Sequence, residues 1–148
     1  MKPDEHLVLA DFAARFAGEI APRVQPAYLA SAIGMSAGIL GMIAEDWDRA
    51  AARRVEENRA IRRLFQLAAG LALEPALAAR LAELGQTNDD DLRLSVLETA
   101  NEVLRAALID LHAAVEAMDG GPAKALNDAI WAELSASTLR RKLAAGSF

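Results

Sequence analysis

A chain of 148 residues suits one domain and can bury an ordinary core without covalent staples. It has no cysteine, which excludes disulfides, thiolate metal sites, iron–sulfur clusters and a cysteine nucleophile, and its two histidines, His6 and His112, exclude a three-imidazole metal site. A net charge of −5 offers no general attraction to nucleic acid or anionic lipid, and 53% hydrophobic with 25% charged residues excludes a disordered chain.

Alanine and leucine occur 34 and 21 times, whereas Val, Ile and Thr together number 16. The first two lead the helix-propensity scale and the β-branched residues favour strands, so the composition predicts an all-α chain. Asp4 caps a first predicted helix with Leu7, Val8, Phe12, Phe16 and Ile20 at helical spacing, ended near Pro22. The acidic start carries no continuous apolar run of the kind found in secretory signals, so a cytoplasmic location is expected. Pro26 opens a second helix.

Val24 to Ala44 is 21 residues without a charge and contains Gly34-x-x-x-Gly38. Its strongly apolar part, Tyr28–Ala44, would extend about 26 Å as a helix, short of a hydrocarbon core of roughly 30 Å. The segment is therefore expected in the protein core and not in a membrane. Helical periodicity continues to about Leu71, with Trp47, Ala51, Val55, Asn58, Ile61, Phe65 and Ala68 on one face. One helix over the whole stretch would run about 65 Å, against about 40 Å for a compact domain, so a kink or break is expected near residues 41–48. Pro75 opens a short helix closed by Gly85, and the acidic run Asp89-Asp90-Asp91 introduces a long one ending near Met118. Asp119-Gly120-Gly121 stops that helix, and Pro122 begins the last, which carries Arg140, Arg141 and Lys142 in its final turns.

Gly34-Met35-Ser36-Ala37-Gly38 matches the nucleophile-elbow pattern, but helix on both sides provides no strand to present Ser36, which makes the match fortuitous. Ile109 stands three residues before His112, so the Glu-x-x-His pair of di-iron bundles is absent. Asp110, His112 and Glu116 form at most a small cluster, with His112 and Glu116 at the spacing of a solvated pair. Six arginines crowd residues 49–63, but Glu45, Glu56 and Glu57 lie three or four residues from several of them. Neutralisation within the helix predicts a solvated face and no specific nucleic-acid binding.

Two patterns remain. Leu94, Leu97, Asn101, Leu104, Leu108, Leu111, Val115 and Met118 follow alternating steps of three and four, a heptad with one polar position and a candidate interface seam. Val96, Ala100, Val103, Ala107 and Ala114 add a second apolar stripe, which suits a helix inside a bundle. Asn58, Asn101 and Asn127 each precede apolar residues at +3 and +7, which turns every one of these amides inward. They either bond across helices and fix register, or line a polar ligand site near His112.

The sequence thus predicts one helical-bundle domain over residues 1–148, with five or six helices and long ones near residues 45–71 and 89–118. Its general look is that of small bacterial helical proteins, with no motif specific to one family. No catalytic constellation, metal site or cofactor motif is legible. The expected role is a non-catalytic interaction protein that forms a homodimer or docks on a protein partner, through a face including the Leu94–Met118 seam. The alternative is a small-molecule module or enzyme with an interhelical pocket near Asn58, Asn101 and His112.

Overall fold

The computed structural model describes residues 4–144, and among them the chain is all-α, with no strand. Five α-helices follow in order: α1 Glu5–Arg15, α2 Ala27–Ala68, α3 Pro75–Leu84, α4 Leu94–Glu116 and α5 Gly121–Arg140. A π turn, Phe16–Ile20, and a 3-10 turn, Ala21–Arg23, extend α1 to the expected stop at Pro22. The chain divides into two compact units, residues 4–50 with 142–144 and Ala51–Arg141.

The Ala51–Arg141 unit holds the main core. Ile61, Leu64, Phe65 and Ala68 of α2 meet Leu81 of α3, Leu104, Ala107, Leu108, Leu111 and Val115 of α4, and Ala123, Leu126 and Ile130 of α5. Local chemistry sets the helix ends. Glu74 caps α3 by accepting from the Ala76 and Leu77 amides at 3.0 Å each, and these two bonds hold its carboxyl below the usual range. Gly85 ends α3 where a β-carbon would lie 3.0 Å from the Leu81 carbonyl oxygen. Gly120 precedes α5 at φ +115°, a conformation that side chains rarely adopt. The expected role of the acidic run at the start of α4 is not what the structure shows: α4 begins at Leu94 with Arg93 as its cap residue, and Asp89 reaches α2 instead.

In the smaller unit, α1 approaches the first half of α2 at Gly41. A β-carbon on Gly41 would touch that of Ala13 at 4.0 Å, and Ala37 and Ala44 are buried on the same stripe of small residues. Two expectations are revised here. Of the kink or break expected near residues 41–48, the break is excluded, because α2 runs unbroken through them. That stretch contains no proline, and the Glu45–Arg49 pair bridges its last turn at 3.0 Å. The compactness that called for a break does not apply to a helix shared by two units. Nor is Tyr28–Ala44 a core segment: only Ala37 and Ala44 in it are buried. One covering helix shields one face, and Trp47, expected on the inward face, is exposed as well.

Candidate functional site: a buried polar cluster and an uncovered apolar stripe

Within the Ala51–Arg141 unit, one face of α2 carries Arg54, Glu57, Asn58 and Arg62, and a polar cluster grows around them. Glu57 is buried yet surrounded by donors. Its carboxylate accepts from Arg105 at 2.6 Å, from Arg141 at 2.8 Å on both oxygens, from the Ser137 hydroxyl at 3.1 Å and from Arg54 at 3.3 Å. Arg54 also donates to Glu98 at 2.6 Å. Burial pushes the Glu57 carboxyl upward; the hydrogen bonds from Arg141 and Arg105, the Arg141 charge and the Ser137 hydroxyl outweigh it and hold the group below the usual carboxylate range. A general base needs a proton affinity matched to its task and an open lone pair, and Glu57 has neither.

Asn58 lies beside Glu57 and is fully buried. Its oxygen accepts from the Asn101 amide at 2.9 Å, and its own amide donates to Asp89 at 3.0 Å and to the Leu97 carbonyl at 3.4 Å. One turn on, Arg62 grips Asp89 with two bonds, 2.7 and 2.8 Å, and donates through Nε to the Thr87 hydroxyl at 2.9 Å. Thr87 in turn donates to the Leu84 carbonyl at 2.8 Å, and Gln66 donates to the Gly85 carbonyl at 2.9 Å. The Arg62 hydrogen bonds first, then the Asn58 bond and the Arg62 and Arg59 charges, hold the Asp89 carboxyl low against its burial. The loop after α3 is therefore fastened to α2 by charge-assisted bonds.

The structure brings Asn58 and Asn101 together and leaves Asn127 elsewhere. Asn127 meets His112 Nε2 at 3.0 Å, and the His112 ring stands edge-on to Trp131, 5.2 Å between centroids. Glu116 is 3.5 Å from the same nitrogen, whereas Asp110 bonds Arg80 at 2.7 Å and does not join the expected cluster. Among the described residues no group of three His, Asp or Glu side chains is arranged to hold a metal ion. Ser36 of the elbow-like motif donates to the Ala32 carbonyl at 3.0 Å inside a helix, as expected of a fortuitous match.

The heptad stripe is filled by the chain's own helices. Leu97, Asn101, Leu104, Leu108, Leu111 and Val115 are buried within one chain, Met118 packs against the same core, and Leu94 stays open. The second stripe is partly free: Val96, Ala100, Val103 and Leu84 line an open groove of about 430 Å³. A polar cleft of about 570 Å³ lies between Arg59, Arg63 and Gln66 on α2 and Gln86, Asn88 and Asp90 of the loop. A third pocket, beside His112, is only about 90 Å³. None of these is walled by Asn58 or Asn101.

Glu57, Asp89, Thr87, Arg105, Ser137 and Arg141 were not assigned to a site from the sequence; Glu57, Asp89 and Arg141 were read only as local helix charges. Glu57 carries a readable signal, since it stands four and seven residues before the buried Ile61 and Leu64. Apart from Arg54, three residues before it, its partners come from 48 to 84 residues away and leave no local pattern.

In the other unit, the face of α2 turned away from Ala37, Gly41 and Ala44 is apolar and uncovered. Tyr28 is 70% exposed, Met35 70%, Ile39 53%, Ile43 43% and Trp47 60%. By length and composition α2 is long and apolar enough to cross a membrane, and little of its apolar part is buried. No family model, curated protein or solved structure matches the chain.

Proposed function

We propose that this chain is a non-catalytic interaction protein that self-associates, with Ala51–Arg141 as scaffold and the first half of α2 as the association surface. The observation that carries this reading is the uncovered apolar stripe from Tyr28 to Trp47, on a segment that bears no charge between Tyr28 and Ala44. Water-exposed apolar surface of that extent is costly on a monomer and is relieved by burial against a partner. The polar residues that could carry chemistry are engaged with one another, Asn58 with Asn101 and Glu57 with three arginines. The same reading keeps the protein off nucleic acid, supported by the pairing of Arg49, Arg54 and Arg62 with carboxylates. Light scattering between about 1 and 100 µM tests it: a mass above 15.8 kDa that rises with concentration is expected, and a constant 15.8 kDa contradicts it.

A second reading, a small-anion-binding module, is favoured by the cleft at Arg59 and Arg63, whose volume falls in the range of ligand pockets. Inorganic phosphate that raises the unfolding temperature of the native chain, and not of Arg59→Ser/Arg63→Ser, supports that reading. Equal response of the two proteins removes it.

A further inference from the structure

We infer that the occupant of the α2 stripe is a second copy of this chain, laid face to face along Tyr28, Met35, Ile39, Ile43 and Trp47. This rests on the self-association reading above and names the face that performs it. The five positions are separated by steps of seven, four, four and four, which keeps them within about a third of the helix circumference over about 28 Å. They point away from the small-residue stripe that receives α1, so the surface is available with α1 in place. Side chains of these sizes at these exposures present on the order of 700 Å² of surface. Monomers usually tolerate a patch of a few hundred Å², and a standard interface buries ~800 Å² per partner. A two-fold partner offers the identical patch, and Tyr28–Ala44, which carries no charge, meets its own copy without like-charge repulsion, while Asp46 falls at the end of the stripe beside Trp47.

Two observations favour this occupant over lipid. Residues 4–50 hold seven acidic side chains and three arginines, a net charge of −4, whereas helices that lie on membranes carry Lys and Arg on the polar face. Moreover, Ala13 of α1 lies against Gly41, so the exposed Asp11–Arg15 pair flanks the uncharged stretch of α2. A spanning α2 with α1 in place would carry both charges into the bilayer, where each costs about 3 kcal/mol or more.

The test uses the full chain and its Ile39→Glu and Met35→Glu variants. Both positions are more than half exposed, so the variants keep the fold, which helical circular dichroism verifies. Sedimentation velocity is expected to show a dimer for the native chain and a dissociation constant at least ~100-fold weaker for Ile39→Glu, because the substitution places paired carboxylates in a dry seam. Trp47 emission, read in a Trp131→Phe background, is expected to shift to the blue on dimer formation. A native dimer that ignores both substitutions overturns this face while leaving self-association intact. A native monomer at 100 µM overturns both. A native monomer that cosediments with phosphatidylcholine vesicles assigns the stripe to lipid and also overturns the inference.

Discussion

Replacing Asn101 by leucine separates an amide that holds two helices of one chain together from one that polices a seam between chains. Asn101 donates to Asn58 at 2.9 Å, and both side chains are at most 3% exposed. Without that donor the Asn58 oxygen is left in a dry site, at a cost of about 1–3 kcal/mol. The leucine gains burial but also adds volume to a packed interior, and these two effects are of similar size and opposite sign. A net loss of about 1–3 kcal/mol is therefore expected, which lowers the unfolding temperature by roughly 2–12 °C for a chain of this length. Trp131 on α5 reports the Ala51–Arg141 unit once Trp47 is replaced by phenylalanine, so urea titration of its fluorescence gives the change directly. The double variant Asn58→Leu/Asn101→Leu is expected to be less destabilised than the sum of the single ones, by about 0.5–3 kcal/mol. A stabilised Asn101→Leu, or strict additivity in the cycle, refutes the reasoning.

Glu57→Gln keeps the shape but removes the charge that Arg54, Arg105 and Arg141 share. Breaking a buried pair costs about 3–5 kcal/mol; the partial exposure of Arg105 and Arg141 reduces this to about 2–3 kcal/mol, measurable by the same titration. Glu57 and Asp89 are both held below their ordinary values, so the unfolded chain takes up protons first as the pH falls. Their stabilisation is complete above the unfolded carboxyl values near pH 4–4.5 and is lost as the pH drops through the lower folded values. Acid titration of the unfolding free energy is expected to fall below about pH 4.5, and a flat profile there contradicts the assignment. Gly120→Ala forces a side chain into a backbone region kept for glycine and is expected to cost about 1–3 kcal/mol in thermal unfolding.

The fold class was legible because composition and punctuation agree. Ala and Leu dominate, Pro75 and Pro122 stand in the first turns of α3 and α5, and Gly85 and Gly120 mark helix boundaries. The inward turn of Asn58 and Asn101 was legible from apolar residues at +3 and +7, whereas which asparagines meet is set by helix packing, and Asn127 went to His112. The Glu57 cluster was not legible, because Arg105, Ser137 and Arg141 come from other helices and α2 offers nearer arginines at ordinary pairing distances. Asp89 was placed at a helix start by its position in an acidic run, but Arg62 and Asn58 offer stronger partners than a helix dipole does. The uncovered state of Tyr28–Ala44 escaped the sequence because an uncharged helix reads alike whether its cover comes from its own chain, another copy or lipid. Only the count of helices lying over it distinguishes these, and here α1 covers one stripe.

Sedimentation equilibrium of the intact, unmodified protein between about 1 and 100 µM tests the central claim most directly. Self-association through the Tyr28–Trp47 stripe requires a concentration-dependent approach to twice the 15.8 kDa chain mass. A single species of 15.8 kDa across the whole range contradicts it.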